Sequence, residues 1–295
     1  MSGKGFVDRY CPKFLLPYAY LARWDRPIGT WLVLLPGWWT LALASGGVSG
    51  AMLTPAILKL FAIFAAGAFL IRGAGCTVND IWDRDIDGHV ERTQKRPIPS
   101  GQVTVKQAVI FAALQFFLGL LLLLTLNKAT IILGVLSVFP ICIYPLMKRV
   151  TWWPQLALGM VFNFSALMGW SAVTNGITAP AILIYIGCIC WTIGYDTIYA
   201  HQDKEDDAKL GMKSTALLFG GRSKEIVTLF YLAAITCFSI AAFQTLHYTA
   251  IMILPLCHLL WQLKSWKPDN PENCLRIFKS NRILGWIILL VFMLG

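Results

Sequence analysis

PAILKLFAIFAAGAFLIRGAGCTVNDIWDRDID, residues 55–87, joins an apolar stretch to a run of carboxylates. As a helix, the apolar part at residues 55–71 is long enough to cross about 30 Å of hydrocarbon. The acidic part is Asn79-Asp80-Ile81-Trp82-Asp83-Arg84-Asp85-Ile86-Asp87, and Glu91 follows it. Carboxylates gathered at the end of a membrane span indicate bound divalent cations, because Mg²⁺ takes oxygen ligands and shares them with substrate phosphates.

The composition places the whole chain in a membrane. Its 295 residues are 57% hydrophobic and 14% charged, with a mean hydropathy of +0.63. A soluble domain carries about a quarter charged residues, so we predict an all-α polytopic membrane protein. We expect one domain over residues 1–295, with residues 1–22 as a short amphipathic lead-in. The predicted spans are residues 28–44, 55–71, 108–126, 131–147, 156–173, 182–199, 226–243, 250–263 and a shorter ninth at 283–295.

The basic residues predict the orientation. With nine spans, 22 of the 25 Lys and Arg fall on the side of the N-terminus and of the long loops. The positive-inside rule makes that side cytoplasmic, or its equivalent in an organelle. The net charge of +10 then reflects topology, and we expect no nucleic-acid partner. Residues 1–20 lack the features of a signal or transit peptide, which favours a bacterial inner membrane or a mature mitochondrial inner-membrane form.

A second acidic run, which goes from Asp196 through Asp203, Glu205 and Asp206 to Asp207, resembles the first, and together they hold ten of the 15 acidic residues. If each span continues as a helix at about 100° per residue, part of each run shares a face. In the first run that face holds Asn79, Asp80, Asp83 and Asp87. In the second run it holds Asp196, Asp203 and Asp207, with Tyr199 close by. Asp85 and Glu205 point away and are expected to be solvated.

Ordinary charged loop ends are the plain alternative for both runs. Loop ends usually mix Lys with Glu, whereas here like charges stack on one helical face, which is unfavourable unless a cation neutralises them. Ionisable residues at the margin of a span also favour a functional site. Asp83 and Asp203 are 120 residues apart, as are Asp87 and Asp207, which fits either an internal repeat or coincidence.

Basic residues accompany the two runs. Arg72 precedes the first run, Lys95 and Arg96 follow it, and Lys148-Arg149 closes the fourth predicted span. Carboxylates with Mg²⁺ beside Lys and Arg can grip a diphosphate and stabilise it as a leaving group. For each basic residue the alternative is an anchor under the positive-inside rule.

The two runs resemble the signatures of a known family. Asn79-Asp80-x-x-Asp83-x-x-x-Asp87 and Asp203-x-x-x-Asp207 look like the NDxxDxxxD and DxxxD motifs of the UbiA-type intramembrane prenyltransferases. The flanking segments are similar to its 4-hydroxybenzoate polyprenyltransferase branch. These segments are residues 26–31, 72–76, 87–93, 96–101, 144–155, 195–200 and 213–216. The resemblance implies nine transmembrane helices around a central cavity, capped on the cytoplasmic side by the motif-bearing loops.

The resemblance also implies a reaction and roles for residues. A polyprenyl group would pass from an allylic polyprenyl diphosphate to the ring of 4-hydroxybenzoate, ortho to the hydroxyl, in ubiquinone biosynthesis. The implied ligands of Mg²⁺ are Asn79, Asp83, Asp87, Asp203 and Asp207. The implied catalytic residues that act as further ligands or support the ligands are Asp80 and Asp196. The implied partners of the departing diphosphate are Arg72, Lys148 and Arg149.

Two further roles remain open among several residues. The carboxylate of the acceptor needs a cationic partner, for which Arg26, Arg72 and Arg149 are the candidates. Tyr199 is a candidate for shielding the allylic cation with its ring face, although an aromatic near a helix end also serves as packing or as an interface anchor. The lipid bilayer is the remaining expected partner.

Other functions make different demands on the sequence. A transporter or channel with a cytoplasmic cation site would place ionisable groups through the membrane depth, and the predicted span interiors hold few. A prenyltransferase for homogentisate, dihydroxynaphthoate or haem fits the motifs, but the flanking segments argue against it. Soluble isoprenyl diphosphate synthases also use aspartate-rich motifs, and the predicted spans exclude that class.

Overall fold

The structure is a computed structural model that describes residues 5–88, 93–209, 211–246 and 252–294. Within these ranges all regular secondary structure is helical. The α-helices are α1 (Phe6–Tyr10), α2 (Leu16–Leu21), α3 (Ile28–Ala44), α4 (Pro55–Asp87), α5 (Val105–Leu123), α6 (Lys128–Ile143), α7 (Met147–Val150), α8 (Pro154–Phe162), α9 (Phe164–Thr174), α10 (Ala179–Ala200), α11 (Lys204–Lys209), α12 (Thr215–Phe219), α13 (Ser223–Leu246), α14 (Ile253–Ser265) and α15 (Pro271–Leu294). Short 3₁₀ turns lie at Tyr144–Leu146, His201–Asp203 and Gly220–Arg222.

The predicted class is confirmed, but the predicted count of nine spans is not. In the described ranges, seven helical segments are long and apolar enough to cross a membrane. Helix α3 is a shorter apolar helix of 17 residues, which rises about 26 Å. Helix α14 has 13 residues and is not among the seven segments. The predicted span at 250–263 begins in residues outside the described ranges.

The last span is longer than the sequence predicted. The prediction of a short span at 283–295 was wrong, because α15 begins at Pro271 and has 24 residues. Polar residues just before the apolar stretch suggested a loop, yet they lie inside the helix. Asn281 is fully buried and its Oδ1 accepts a hydrogen bond of 2.8 Å from Nε1 of Trp191. Buried polar side chains in spans find such partners in neighbouring helices.

Contacts divide the chain into two compact units. The first consists of Met1–Thr30 and Ala65–Thr125, and the second of Trp31–Phe64 and Leu126–Gly295. The first acidic run therefore belongs to the first unit, and the second run belongs to the second unit. The expectation of a single domain over residues 1–295 stays a prediction.

The first unit packs around the start of α5. Leu21, Ile98, Val103 and Ala108 form a buried apolar cluster, on which Tyr18, Ile81 and Phe111 pack. Thr104 caps α5, since its hydroxyl accepts from the backbone N–H of Gln107 while the Gln107 side chain reaches back to the cap. This packing fixes the segment that follows the first acidic run against the helix that carries the run.

The second unit is organised by α10, which has the largest buried share among the seven candidate spans. It lies against α13 at two glycines. A Cβ atom added to Gly187 would be 2.6 Å from Cε1 of Phe238, and one added to Gly194 would be 2.6 Å from Cδ1 of Tyr231. The two helices approach closely because these positions have no side chain, which is typical of helix contacts in membranes.

This close approach predicts the effect of one methyl group. Gly194→Ala should destabilise the protein by about 1–3 kcal/mol, because the Tyr231 ring has to move out of a packed position. Gly67→Ala in α4 is the matched control, since no heavy atom lies within 4 Å of the added Cβ. The control should be neutral or stabilise by up to about 1 kcal/mol through helix propensity. Thermal unfolding in detergent compares the two variants, and equal midpoints would contradict the packing described.

Candidate functional site

Helix α4 carries the first acidic run to its last residue. The predicted continuation of the helix is confirmed, since α4 extends without a break to Asp87. Nδ2 of Asn79 donates to Oδ2 of Asp83 at 3.1 Å, and both side chains are half-buried. The side chain of Asp85 is 82% exposed, as predicted. Glu91 lies outside the described residues.

Asp80 is held by two arginines from different parts of the first unit. Its carboxylate is fully buried. Nη2 of Arg23 donates to Oδ1 of Asp80 at 2.7 Å, and Nη1 of Arg96 donates to the same oxygen at 3.3 Å. A buried charge requires such partners, because desolvation of an unpaired carboxylate is very costly. In this structure Asp80 therefore joins the segment before α3 to the segment after α4.

Arg23 reaches Asp80 from a left-handed backbone conformation. Its φ angle is +58°, and it follows the last residues of α2. The N–H of Trp24 donates to the carbonyl of Ala19 at 2.9 Å, and the N–H of Arg23 donates to that of Tyr20 at 3.1 Å. This is a Schellman motif, in which the left-handed position is usually glycine. A side chain there costs about 1–2 kcal/mol, and here that side chain is the guanidinium that binds Asp80.

Arg96 also binds the last carboxylate of the run. Its Nη1 donates to Oδ2 of Asp87 at 2.5 Å, so one guanidinium bridges Asp80 and Asp87. The hydroxyl of Thr93 donates to the carbonyl of Asp87 at 2.9 Å and holds the chain after the helix in place. Burial raises the pKa of the Asp87 carboxyl above its usual value, and the guanidinium of Arg96 opposes that rise. Two guanidiniums thus face two buried carboxylates.

Arg72 lies earlier in α4, against the backbone at the start of α3. A Cβ atom on Gly29 would lie 2.8 Å from Cζ of Arg72, so the guanidinium packs directly on this glycine. Its Nη1 also contacts Sγ of Cys76. Arg26 behaves differently, because its side chain is 71% exposed and pairs with Asp25 at 3.2 Å. Of these two candidate arginines, Arg72 has the position fixed by packing.

The second run has a different local structure from the one predicted. Helix α10 ends at Ala200, and the 3₁₀ turn at His201–Asp203 precedes α11. The predicted continuous helix is therefore wrong at this turn. A 3₁₀ turn advances about 120° per residue instead of 100°, so the carboxylates after the turn are rotated by roughly 60° relative to Asp196. Glu205 is exposed, as predicted.

Three of the predicted side chains of the second unit interact electrostatically. Lys148 and Asp207 act electrostatically on the carboxylate of Asp196, and all three side chains are half-buried. Lys213 fixes this arrangement. Its backbone N–H donates to the carbonyl of Lys148 at 2.9 Å, and its Nζ donates to the carbonyl of Val150 at 3.0 Å. The segment after the second run is thus tied to the segment that carries Lys148.

Polar contacts at the base of this segment are buried. The hydroxyls of Thr197 and Thr215 share a hydrogen bond of 2.6 Å. The N–H of Thr215 donates to Oε1 of Gln155 at 3.0 Å, and Gln155 is 2% exposed. These contacts join α8, α10 and α12 next to the second run. They account for three polar residues in otherwise apolar surroundings, since buried polar groups need hydrogen-bond partners.

The remaining predicted residues of the second unit occupy the edge of this group. The Tyr199 ring lies 4.6 Å from the ring of Phe278, centroid to centroid. Arg149 is exposed, and Nε2 of Gln202 donates to Oδ1 of Asp203 at 3.4 Å. The sequence left two roles open for Tyr199, packing and the shielding of a cation. Its contact with Phe278 fits the packing role.

Sequence reasoning missed the importance of two residues. Arg23 lies 57 positions before its partner Asp80, so local spacing gives no sign of the pair. Arg96 follows the first run closely, but this spacing does not reveal its contacts with Asp80 and Asp87. A usable signal was present for both, because a carboxylate on the buried face of a span requires a cationic partner within the same protein.

Comparison with known proteins agrees with this architecture. The sequence model of the UbiA prenyltransferase family matches residues 33–289. The chain belongs to the UbiA prenyltransferase family, and it is therefore an enzyme of the prenyltransferase class.

Relatives with high identity extend over nearly the whole chain. The mitochondrial 4-hydroxybenzoate polyprenyltransferase of Drosophila pseudoobscura pseudoobscura is 47% identical over 283 residues, which are 95% of this chain and 70% of that protein. The protein of the same name from Arabidopsis thaliana is 45% identical and covers 98% of this chain and 71% of its own length. The one from Homo sapiens is 42% identical and covers 100% and 79%.

Solved structures show the same fold at lower identity. The apo UbiA homolog from Aeropyrum pernix K1 has a TM-score of 0.73 at 23% identity, covering 89% of this chain and 98% of its own. The UbiA homolog from Archaeoglobus fulgidus bound to GPP and Mg²⁺ has a TM-score of 0.68 at 18% identity, covering 95% and 100%. At these identities the likeness concerns the fold.

The contact between Arg72 and Gly29 gives a test of the site in the first unit. Gly29→Ala should displace the Arg72 guanidinium and lower prenyl transfer by about ten- to a hundredfold, as misplaced binding groups do. Gly67→Ala, in the same helix as Arg72 but without a neighbour within 4 Å, should keep wild-type activity. Steady-state assays on both purified variants check this. Equal activity of the two variants would show that prenyl transfer does not depend on the position of the Arg72 guanidinium.

Proposed function

We propose that this chain transfers a polyprenyl group from an allylic polyprenyl diphosphate to the ring of 4-hydroxybenzoate and releases diphosphate. The identity of 42–47% with enzymes named 4-hydroxybenzoate polyprenyltransferase, over 95% or more of the chain, carries this proposal. In the reaction the C–O bond to the diphosphate breaks and the diphosphate keeps the electron pair. The allylic carbon bonds to the ring carbon ortho to the hydroxyl. That ring carbon then loses its proton, which restores the aromatic ring.

The donor atoms of the two runs fit a hard divalent cation. Asn79 and Asp83 present an amide and a carboxylate side by side. Among the described residues, no three His, Cys, Asp or Glu side chains form a complete metal cluster. Mg²⁺ is usually bound through one or two carboxylates together with substrate phosphates and water. A homolog of the same fold is bound to GPP and Mg²⁺.

We assign the ligand role to the oxygen-bearing side chains of both runs. The proposed ligands are Asn79, Asp83, Asp87, Asp203 and Asp207. When bound, Mg²⁺ neutralises the diphosphate and makes it a better leaving group. Asp83, Asp203 and Asp207 are half-buried, so part of each side chain is accessible to a ligand. A site with limited access of water would also protect an allylic cation from hydrolysis.

Basic residues would receive the charge that develops on the diphosphate. Lys148 acts electrostatically on Asp196, and its backbone carbonyl accepts a hydrogen bond from Lys213. Arg72 is fixed by Gly29 in the first unit. Donors that are held in place before the reaction stabilise developing charge without reorganising. We therefore propose Lys148 and Arg72 as diphosphate-binding residues.

The acceptor needs a cation for its carboxylate. Arg26 and Arg149 are exposed, so an incoming anion can reach both side chains. Arg72 is packed and fits the diphosphate better. We propose Arg149 as the first candidate for the acceptor, because it follows Lys148 directly, and Arg26 as the second.

The location in the cell follows the same reasoning. We propose a multi-pass inner-membrane protein whose N-terminus and acidic runs face the cytoplasm or the mitochondrial matrix. The distribution of Lys and Arg supports this orientation. Relatives from animals and a plant are named as mitochondrial proteins, and a bacterial inner membrane is the other location that the sequence allows.

The metal role of the runs can be tested by removing single carboxylates. Asp83→Ala and Asp207→Ala should each lower prenyl transfer by more than about a hundredfold at saturating Mg²⁺, because diphosphate neutralisation is lost. The matched controls are Asp85→Ala and Glu205→Ala, which remove an exposed carboxylate from the same run. They should stay near wild-type activity. Near wild-type turnover by Asp83→Ala would refute the assigned role.

Substrate choice needs a separate measurement. Purified protein is incubated with Mg²⁺, 4-hydroxybenzoate and a series of polyprenyl diphosphates of increasing length, and the products are identified by mass spectrometry. We expect a prenylated 4-hydroxybenzoate. Homogentisate and dihydroxynaphthoate serve as competing acceptors in parallel reactions. Faster turnover of either one would replace 4-hydroxybenzoate as the proposed acceptor while leaving the enzyme class in place.

A further inference from the structure

Arg23 has an unusual combination of backbone and side-chain positions. Its backbone occupies the left-handed position that ends α2, where glycine is the favoured residue. Its side chain is 18% exposed and donates from Nη1 to the carbonyl of Tyr20 at 3.0 Å and from Nη2 to Asp80 at 2.7 Å. Strained residues of this kind persist where their side chain has a use. Closing the helix does not require an arginine.

The charges around Asp80 show what that use is. Asp80 and Asp87 are two buried carboxylates, and Arg96 contacts both of them through a single nitrogen, Nη1. Arg23 contacts Asp80 alone of these two. With Arg23 present, two guanidiniums serve the two buried carboxylates. Without it, a single guanidinium has to serve two buried carboxylates, and Asp80 is the more deeply buried of the two.

We propose that Arg23 is a positioning residue for prenyl transfer. By neutralising Asp80, it keeps the guanidinium of Arg96 available to Asp87 and to the diphosphate that the first run binds. This inference rests on the proposed function, because it treats the first run as part of the diphosphate site. Loss of Arg23 moves Arg96 toward Asp80 and weakens the hold on the diphosphate.

The variants for the test are Arg23→Gly, Asp80→Asn and the double variant with both substitutions. Glycine suits the backbone at φ +58°, so Arg23→Gly removes the guanidinium while preserving the end of the helix. Asn in place of Asp80 removes the charge that would draw Arg96 away. Three quantities are measured: the dissociation constant of inorganic pyrophosphate with Mn²⁺ present, KM and kcat for prenyl transfer, and the midpoint of thermal unfolding.

In protein that keeps Asp80, Arg23→Gly should weaken pyrophosphate binding by about tenfold and raise KM for the polyprenyl diphosphate by about tenfold. The same variant should change kcat by less than about threefold. In the Asp80→Asn background, the same Arg23→Gly substitution should change both quantities by less than about threefold, because Arg96 no longer has a competing carboxylate. The unfolding midpoint of Arg23→Gly should fall by no more than about 3 °C. Mn²⁺ alone should bind at least as tightly as in wild type.

Two results would overturn the proposal. The first is an equal effect of Arg23→Gly in both backgrounds, which would mean that Arg23 does not act through Asp80. The second is a joint loss of thermal stability, Mn²⁺ binding and pyrophosphate binding, which would reduce Arg23 to a structural residue. A failure of the proposed function is recognised separately. In that case wild-type protein would form no prenylated 4-hydroxybenzoate, while the pyrophosphate dissociation constants of wild type and the three variants would still differ as predicted.

Discussion

Carboxylates at the end of a membrane span need positive charge nearby. This requirement determines the site in the first unit. Asp80 and Asp87 are buried on one face of α4, where an unpaired charge is very costly. Arg23 and Arg96 provide the positive charge within the protein. Their contacts connect the end of α2 and the segment after α4 to the helix that carries the first run. The arrangement of the first unit around that run follows from this pairing.

The second unit meets the same constraint in another way. Asp196 interacts electrostatically with Lys148 and Asp207, and a backbone hydrogen bond from Lys213 holds the segment that carries this lysine. The 3₁₀ turn at His201–Asp203 separates α10 from α11 and redirects the carboxylates that follow. In both units, carboxylates of the acidic runs interact with basic residues outside the runs. The runs alone therefore do not define the site.

Periodicity and composition predicted the helical membrane class, and the motifs predicted the family, because these features are local in sequence. The continuation of α4 through Asp87 and the exposure of Asp85 also followed from helical spacing. Long-range pairs were beyond this reasoning. The partner of Asp80 lies 57 residues away, and the true start of α15 was hidden because Asn281 is satisfied by Trp191 from another helix. Tertiary contacts decided both cases.

The central claim is that the aspartates of both acidic runs are ligands of divalent metal ions. A crystal structure with Mn²⁺ and inorganic pyrophosphate tests it most directly, because anomalous scattering locates the metal. We predict Mn²⁺ ions with ligand oxygens at about 2.0–2.2 Å, a spacing typical of small hard cations, at Asp83 of the first run and at Asp207 of the second. A run that holds no Mn²⁺ would contradict the claim.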